Sequence, residues 1–399
     1  MLTAEVVVAG GGVSGLLIAS ALAPDFSVLV IEQRDSLPRN KYWLTNEKVL
    51  VENPQFGACV NRRYGFLDFV AYDGLTATVH GNYCLWDTEK LVGHLERELL
   101  RHGAQVLTGH RLYSLSTNRG RVAIRASSQT ISGRLLIDCM GFGSPIVGAK
   151  DVARISGYYI LHGREVGTKG VVRPIALDNV AVHKHPAFFE LFPTAQGTAH
   201  AAIILPSRDY RRCRSIGDEL LFILRQSHYS GGINLDVPSQ QRSYSGIVPV
   251  GRMRKPALDH ILFFGEAGQA NPAASATGLT RMLHTYRQVA LAVGSCLKRD
   301  TLNQGDLLSA IPPYMTRMNR IFQESLFESL LLFNSDDFRR LVEDLKEYPA
   351  EVINSLLFAD FNFGDLRAWR LAADALFRPH RVLGHHVARA VRRYFSWRR

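Results

Sequence analysis

Gly10, Gly12 and Gly15 stand at the spacing G-x-G-x-x-G, which suits the holding of a pyrophosphate. The first glycine permits a tight turn, the second lets backbone approach the phosphates, and the third lets a helix pack close to a strand. Val13 and Ser14 fall between the second and third, where a helix start offers unbonded N–H groups to an anion. Glu32, followed by Gln33 and Arg34, ends the next apolar run, at a distance that suits a carboxylate on a ribose diol. Two more acids lie far along the chain. Glu266 follows the apolar run His260–Phe264, and Glu190 sits inside Phe188-Phe189-Glu190-Leu191-Phe192-Pro193. Apolar surroundings raise a carboxyl pKa and keep it available as a proton donor, so both are candidate catalytic groups.

These residues need elements to hold them. Glu5–Ala9 is a continuous apolar run, expected as a buried parallel strand, Leu16–Leu22 as an apolar helix and Ser27–Glu32 as a second strand. Leu91, Leu95 and Leu99 mark one face of a helix over 88–102, capped by Gly103, with Gln105-Val106-Leu107 as the next strand. Val122–Ala126 and Leu135–Ile137 read as strands around a turn at Ser132-Gly133. The stretch 151–260 alternates short strand-like runs with turns, which suggests a mostly antiparallel sheet. Gly278–Leu297 reads as a long helix, and everything past Gly305 as helical, broken at Pro312-Pro313, Pro349 and Pro379.

The glycine spacing alone does not separate FAD from NAD. The chain, however, returns twice to what reads as the same cofactor. The strand Leu135–Asp138 runs into Cys139-Met140-Gly141, bringing backbone close again. After Glu266, Pro272 and a run of small residues lead through Thr277 and Gly278 to Leu279 and a helix. Small residues there permit close approach to a flat ring, and helix N–H groups from Thr277 onward face its carbonyl edge.

The order glycine-rich βαβ, strand with D-x-x-G, then strand–GEA–loop–P–small–G–helix resembles the FAD enzymes that include aromatic hydroxylases, geranylgeranyl reductases and lycopene cyclases. Phe264-Gly265-Glu266-Ala267-Gly268, Asn271-Pro272 and Thr277-Gly278 are most similar to the lycopene cyclase version. The likeness extends over most of the chain, including Arg320–Phe333, Phe338–Leu341 and Tyr348–Phe361. It implies an α/β fold: a Rossmann-like FAD domain of the glutathione reductase type with a β insert over 1–150, a mostly antiparallel substrate domain over 151–260, a return to the FAD domain over 261–304, and a helical region over 305–399. The expected FAD contacts are Gly10, Gly12, Val13, Ser14, Gly15, Glu32, Gln33, Arg34, Val106, Gly141, Glu266, Pro272, Thr277, Gly278 and Leu279. Two departures are visible. The acidic F-L-E-E-T stretch of the cyclases is missing, with the Glu190 segment in its place. Thr88 stands where the family has an FAD-touching Arg.

Composition narrows the partners. The 399 residues carry a formal charge of +11, spread widely except in the last stretch, Ala375–Arg399, with seven Arg and no acid. Interleaved Tyr394, Phe395 and Trp397 make that segment a candidate basic amphipathic helix for peripheral membrane contact. No nucleic-acid partner is expected. Five scattered cysteines without a CxxC pattern suit reduced thiols in the cytoplasm, and the first strand leaves no room for a signal peptide. His183 and His185 lack further ligands nearby, so no metal is expected. The aromatics of Asn40–Leu44 suit the wall of an apolar cavity.

The leading expectation is an FAD enzyme acting on an apolar unsaturated substrate, an isoprenoid or polyene, with NAD(P)H reducing the flavin. The alternative enzyme is an aromatic-hydroxylase-type monooxygenase for a phenolic or polyketide-like substrate. A flavin-carrying binding protein with an inactive site is the third reading.

Overall fold

A computed structural model describes residues 2–118, 120–147, 152–170, 172–182, 185–211, 216–225, 233–234, 243–269, 271–310 and 317–358. His183, the Pro312-Pro313 break, Pro379 and the basic segment after Ala375 lie outside the described residues.

A six-stranded sheet runs in the order Ala257–Leu258, Ile261–Phe263, Leu135–Asp138, Val6–Ala9, Val28–Ile31, Gln105–Leu107. All neighbours pair in parallel except the first two. Its strands are apolar on both faces because both faces are covered. Val6, Val8, Val28 and Val30 pack under the helices Val13–Leu22, Thr88–Arg101 and Gly278–Arg299. Val7, Ala9, Leu29 and Ile31 pack instead against a second sheet, built from Leu2–Thr3, Gln129–Gly133, Arg121–Ala126 and Leu112–Asn118.

That second sheet corrects one expectation. Ser132-Gly133 are not a turn. They end a strand whose register places Ser132 opposite both Ala123 and Thr3. The chain reverses earlier, where Ser127 takes the left-handed φ of +52°. A polar dipeptide in a strand that faces a neighbour on each side cannot be told from a turn by composition.

The largest sheet has nine strands and is antiparallel except where Ile175–Val182 meets Val60–Val70. Its strands come from both sides of residue 151. Leu44–Asn46 and the hairpin Val60–Val70/Thr76–Trp86 join it from the first part of the chain, because Ile175 and Leu177 pair with Asp68 and Phe69. Among the described residues four helices follow the long one: Gln304–Ala310, Arg317–Leu330, Ser335–Leu345 and Ala350–Leu357, the last started by Pro349. Phe338, Val342, Ile353 and Phe358 seal them onto the large sheet through Leu67, Val79 and Phe188.

Candidate active site

Gly10 has φ +107°, and a Cβ there would lie 2.6 Å from the Cys139 carbonyl oxygen. A Cβ on Gly15 would collide with the Gly10 carbonyl. Gly12 differs from both, because the space where its Cβ would be is open. Turn, close packing and free approach are therefore divided among the three glycines as a pyrophosphate cradle requires. Gly12 caps the helix Val13–Leu22 with no side-chain hydrogen bond, and no acid occupies the first turn. The positive end of that helix is left for an anion.

The glycine loop and the two returns of the chain touch one another at glycines. Besides the Gly10–Cys139 contact, a Cβ on Gly265 would meet the Ser14 side chain at 2.5 Å, and one on Gly141 would meet Glu266 Oε2 at 2.9 Å. Both glycines have positive φ, +67° and +62°. Glu32 is almost fully buried. It accepts from the Gly11 N–H at 2.8 Å and the Arg34 N–H at 3.0 Å, so the carboxylate ties the glycine loop to the end of the second strand. Asp138 holds the D-x-x-G turn through the Met140 N–H and the Ser144 hydroxyl, and burial lifts its pKa to about 6.

A groove follows these contacts. Gly10, Gly12, Val13, Ser14, Glu32, Gln33, Arg34, Gly141 and Glu266 line it. Lys41 and Arg111 add positive charge there, and His110 lines it beside them. Lys41 belongs to the Asn40–Leu44 segment that the sequence singled out, whereas His110 and Arg111 carry no motif and reach the groove only through tertiary folding. Val106 does not line the groove, because it packs into the core on the edge strand. Thr88 is buried and donates to the Lys41 carbonyl, so it anchors the loop that carries Lys41.

Glu266 also lines a second cavity, as do Lys41, Trp43 and Met282. This chamber lies between the large sheet and the C-terminal helices. Its walls are apolar, with Leu67, Phe188, Phe192, Phe338, Leu341 and Phe358 among them. Thr277, Gly278 and Leu279 form the side nearest the groove, while Pro272 is buried behind them and accepts from the Ala276 N–H at 2.9 Å. Gln323 clamps this loop, accepting from the Ala274 N–H at 2.9 Å and donating to the Leu356 carbonyl at 3.2 Å. Thr277 gives its hydroxyl to the Leu357 carbonyl at 2.6 Å, not to its own helix. The amides at the start of Gly278–Arg299 thus carry no side-chain cap.

Few polar groups face the chamber. Glu190 has no hydrogen-bond partner among the described residues, and burial raises its pKa to about 8. Nearby, Tyr42, His200 and Tyr244 form a stack, with ring centroids 4.7 Å and 5.6 Å apart. The Tyr244 hydroxyl and His200 Nε2 are 3.0 Å apart. Burial holds His200 neutral, its pKa lowered to about 3. Burial first, and the Glu190 charge second, push the Tyr244 pKa up. Gly163 makes room for the stack, since a Cβ there would lie 2.7 Å from both rings. Tyr42 falls in the Asn40–Leu44 segment whose aromatics suit a cavity wall, but the sequence gives no sign of its partners, because His200 and Tyr244 come from different strands.

Glycine loop, buried carboxylate and three converging segments fit FAD, and two orphaned atoms agree. Asn271 Nδ2 and Gln269 Oε1 are buried in the Glu266 loop with no partner, a cost that a bound polar ligand would offset. The family described as Lycopene cyclase protein matches residues 5–369. The chain belongs to that family. It is therefore an enzyme of an FAD-dependent group. No curated protein matches its sequence.

Among solved structures, the chain is similar to a geranylgeranyl bacteriochlorophyll reductase-like protein from Thermoplasma acidophilum, with TM-score 0.72 and 17% identity over 95% of this chain and 98% of that one. It is also similar to OxyS anhydrotetracycline hydroxylase from Streptomyces rimosus, with TM-score 0.64 and 14% identity over 90% and 76%. A halogenase PltM mutant in complex with FAD matches with TM-score 0.63 and 12% identity over 95% and 87%. At these identities the likeness is one of fold. Among the described residues no three His, Cys, Asp or Glu side chains come together as a metal site, and no helix is long and apolar enough to cross a membrane.

Proposed function

We propose that this lycopene cyclase family enzyme acts on an apolar, unsaturated molecule of the isoprenoid or polyene class, with its flavin reduced by NAD(P)H. The supporting observation is the chamber itself: an apolar cavity that shares Glu266 with the cofactor groove and is also lined by Glu190, a carboxyl with no hydrogen-bond partner among the described residues.

Bound FAD supplies two-electron chemistry. The protein does the rest. Lys41 and Arg34 lie where phosphates and ribose would be held, beside the Glu32 carboxylate. Phe188, Phe192, Phe338 and Phe358 exclude water and align a long chain by burial alone. Glu190 remains protonated at neutral pH, so it can give its proton to a substrate double bond. Loss of a proton from a neighbouring carbon then restores the carboxyl, and a cyclisation needs no net redox change. Glu266, which lines both the groove and the chamber, would stand between a bound flavin and the substrate, where its side chain would steady positive charge that develops on the substrate.

A second reading draws support from the Tyr244–His200 pair, which suits a phenolic hydroxyl: a flavin monooxygenase acting on a phenolic or polyketide-like substrate. Anaerobic incubation of the reduced protein with linear polyenes separates the two. A product of unchanged mass, or one carrying two added hydrogens, supports the first. A product that forms only with oxygen and carries an oxygen atom supports the second. Peripheral membrane contact through the basic C-terminal segment belongs to the first reading. Loss of liposome binding after removal of the residues past Phe377 tests it.

A further inference from the structure

His200 lines the chamber, is 2% exposed, and keeps one ring nitrogen, Nδ1, without a hydrogen-bond partner among the described residues. Tyr42 and Tyr244 stack on its ring, so a ligand reaches the imidazole at its edge. Part of that edge is already occupied, since Nε2 lies 3.0 Å from the Tyr244 hydroxyl. The Tyr42 backbone N–H donates to the same hydroxyl, which leaves the one phenolic proton for Nε2. Burial keeps the imidazole neutral, and a neutral ring that accepts at Nε2 carries its proton on Nδ1. The chamber thus contains an N–H donor with nothing to receive it. Such a group is costly in apolar surroundings and marks a place where a bound molecule supplies an acceptor.

The register of the large sheet puts this donor beside Glu190. His200 pairs with Phe192, and Glu190 with Ala202, on adjacent strands, and all four line the chamber. Glu190 and His200 are therefore diagonal neighbours on one face, about 7–8 Å apart. We propose that His200 Nδ1 anchors an oxygen substituent of the substrate, a carbonyl or a hydroxyl, so that the molecule taken is an oxygenated polyene or isoprenoid and not a bare hydrocarbon. The inference rests on the polyene reading above and adds a functional group and its place. Burial against Phe338, Leu341 and Phe358 holds a long chain but is non-directional, and leaves it free to slide. An oxygen fixed at His200 sets the register, so the same double bond always stands against Glu190. His200 acts here as the residue that determines specificity.

The test uses the holoenzyme and three probes of one linear skeleton: farnesal, farnesol and farnesene, which carry a carbonyl, a hydroxyl and no oxygen. Equilibrium dialysis gives the Kd of each for wild type, His200→Phe and Tyr244→Phe, after FAD content and Tm have been checked. The first variant keeps an aromatic ring in the stack without a nitrogen, and the second releases Nε2. Wild type is expected to bind farnesal and farnesol about tenfold or more tightly than farnesene. That preference should vanish in His200→Phe and shrink in Tyr244→Phe. The infrared carbonyl stretch of bound farnesal should also move to lower wavenumber in wild type and return in His200→Phe, which a merely structural role would not produce. Farnesene bound as tightly as farnesal, or a preference unchanged in His200→Phe, would overturn the anchor and leave the polyene reading standing. Should His200→Phe fail to fold, an unshifted carbonyl band in wild type overturns the anchor by itself. Binding of none of the three probes would overturn the polyene reading and the anchor together.

Discussion

Gly141 and Glu266 meet at the edge of the cofactor groove: a methyl group added to Gly141 would sit 2.9 Å from the Glu266 carboxylate. Gly141 also has φ +62°, a conformation that costs an L-residue about 1 kcal/mol or more. Gly141→Ala should therefore combine backbone strain with displacement of Glu266. The expected outcome is a Tm lower by several degrees and a marked loss of bound flavin, read from the visible absorbance of the purified protein. Full flavin content with unchanged Tm would show that the turn tolerates a side chain.

Glu32→Ala removes the acceptor for two backbone N–H groups, those of Gly11 and Arg34. Charge-assisted bonds of this kind contribute about 1.5–3 kcal/mol. The glycine loop should loosen, and FAD affinity should fall by tenfold or more in equilibrium titration of apoprotein.

Glu190 titrates near pH 8, against an ordinary value of 4.5. As a proton donor it acts only while protonated, so kcat/KM should decline as pH rises through about 8. Glu190→Gln should lower kcat by about 10²-fold or more while FAD remains bound. Stability follows the same group with its own sign. Below 4.5 both folded and unfolded chains hold the proton. Between 4.5 and 8 only the folded chain does, so stability falls with rising pH until the loss is complete above 8. Glu190→Gln should therefore raise Tm relative to wild type at pH 8 and leave it equal near pH 4.

His200 works in the opposite direction. Its folded pKa of about 3 lies below the ordinary 6.5, so the unfolded chain takes up a proton first as pH falls. Stability is complete above 6.5 and is lost progressively toward pH 3. His200→Gln should flatten the acid side of the Tm-against-pH curve, measured by thermal melts over that interval.

The sequence makes some of this legible and hides the rest, for physical reasons. The glycine cradle, Glu32 and the Glu266 loop are local: each function belongs to a few consecutive residues, so spacing reveals it. The parallel strands are equally plain, since burial on both faces gives unbroken apolar runs such as Val6–Ala9. Glu190 stands between local and tertiary. Its segment alternates, with Phe188 and Phe192 on the chamber side and Phe189 and Leu191 in the core behind. The residue type and pattern were readable, but the missing partner was not. Lys41, Arg111 and the Tyr42–His200–Tyr244 stack depend on strands distant in sequence coming side by side. The hairpin Val60–Trp86 escaped for a similar reason, since its place in the large sheet depends on Ile175–Val182, a strand distant in sequence.

The account depends on flavin bound where the three glycine-marked segments converge. The direct measurement is the visible absorption spectrum of the purified protein, with the released cofactor identified after denaturation. Flavin absorbance with FAD at one per chain, restored when apoprotein is mixed with FAD, is the predicted result. Colourless protein that takes up no FAD on reconstitution would contradict it.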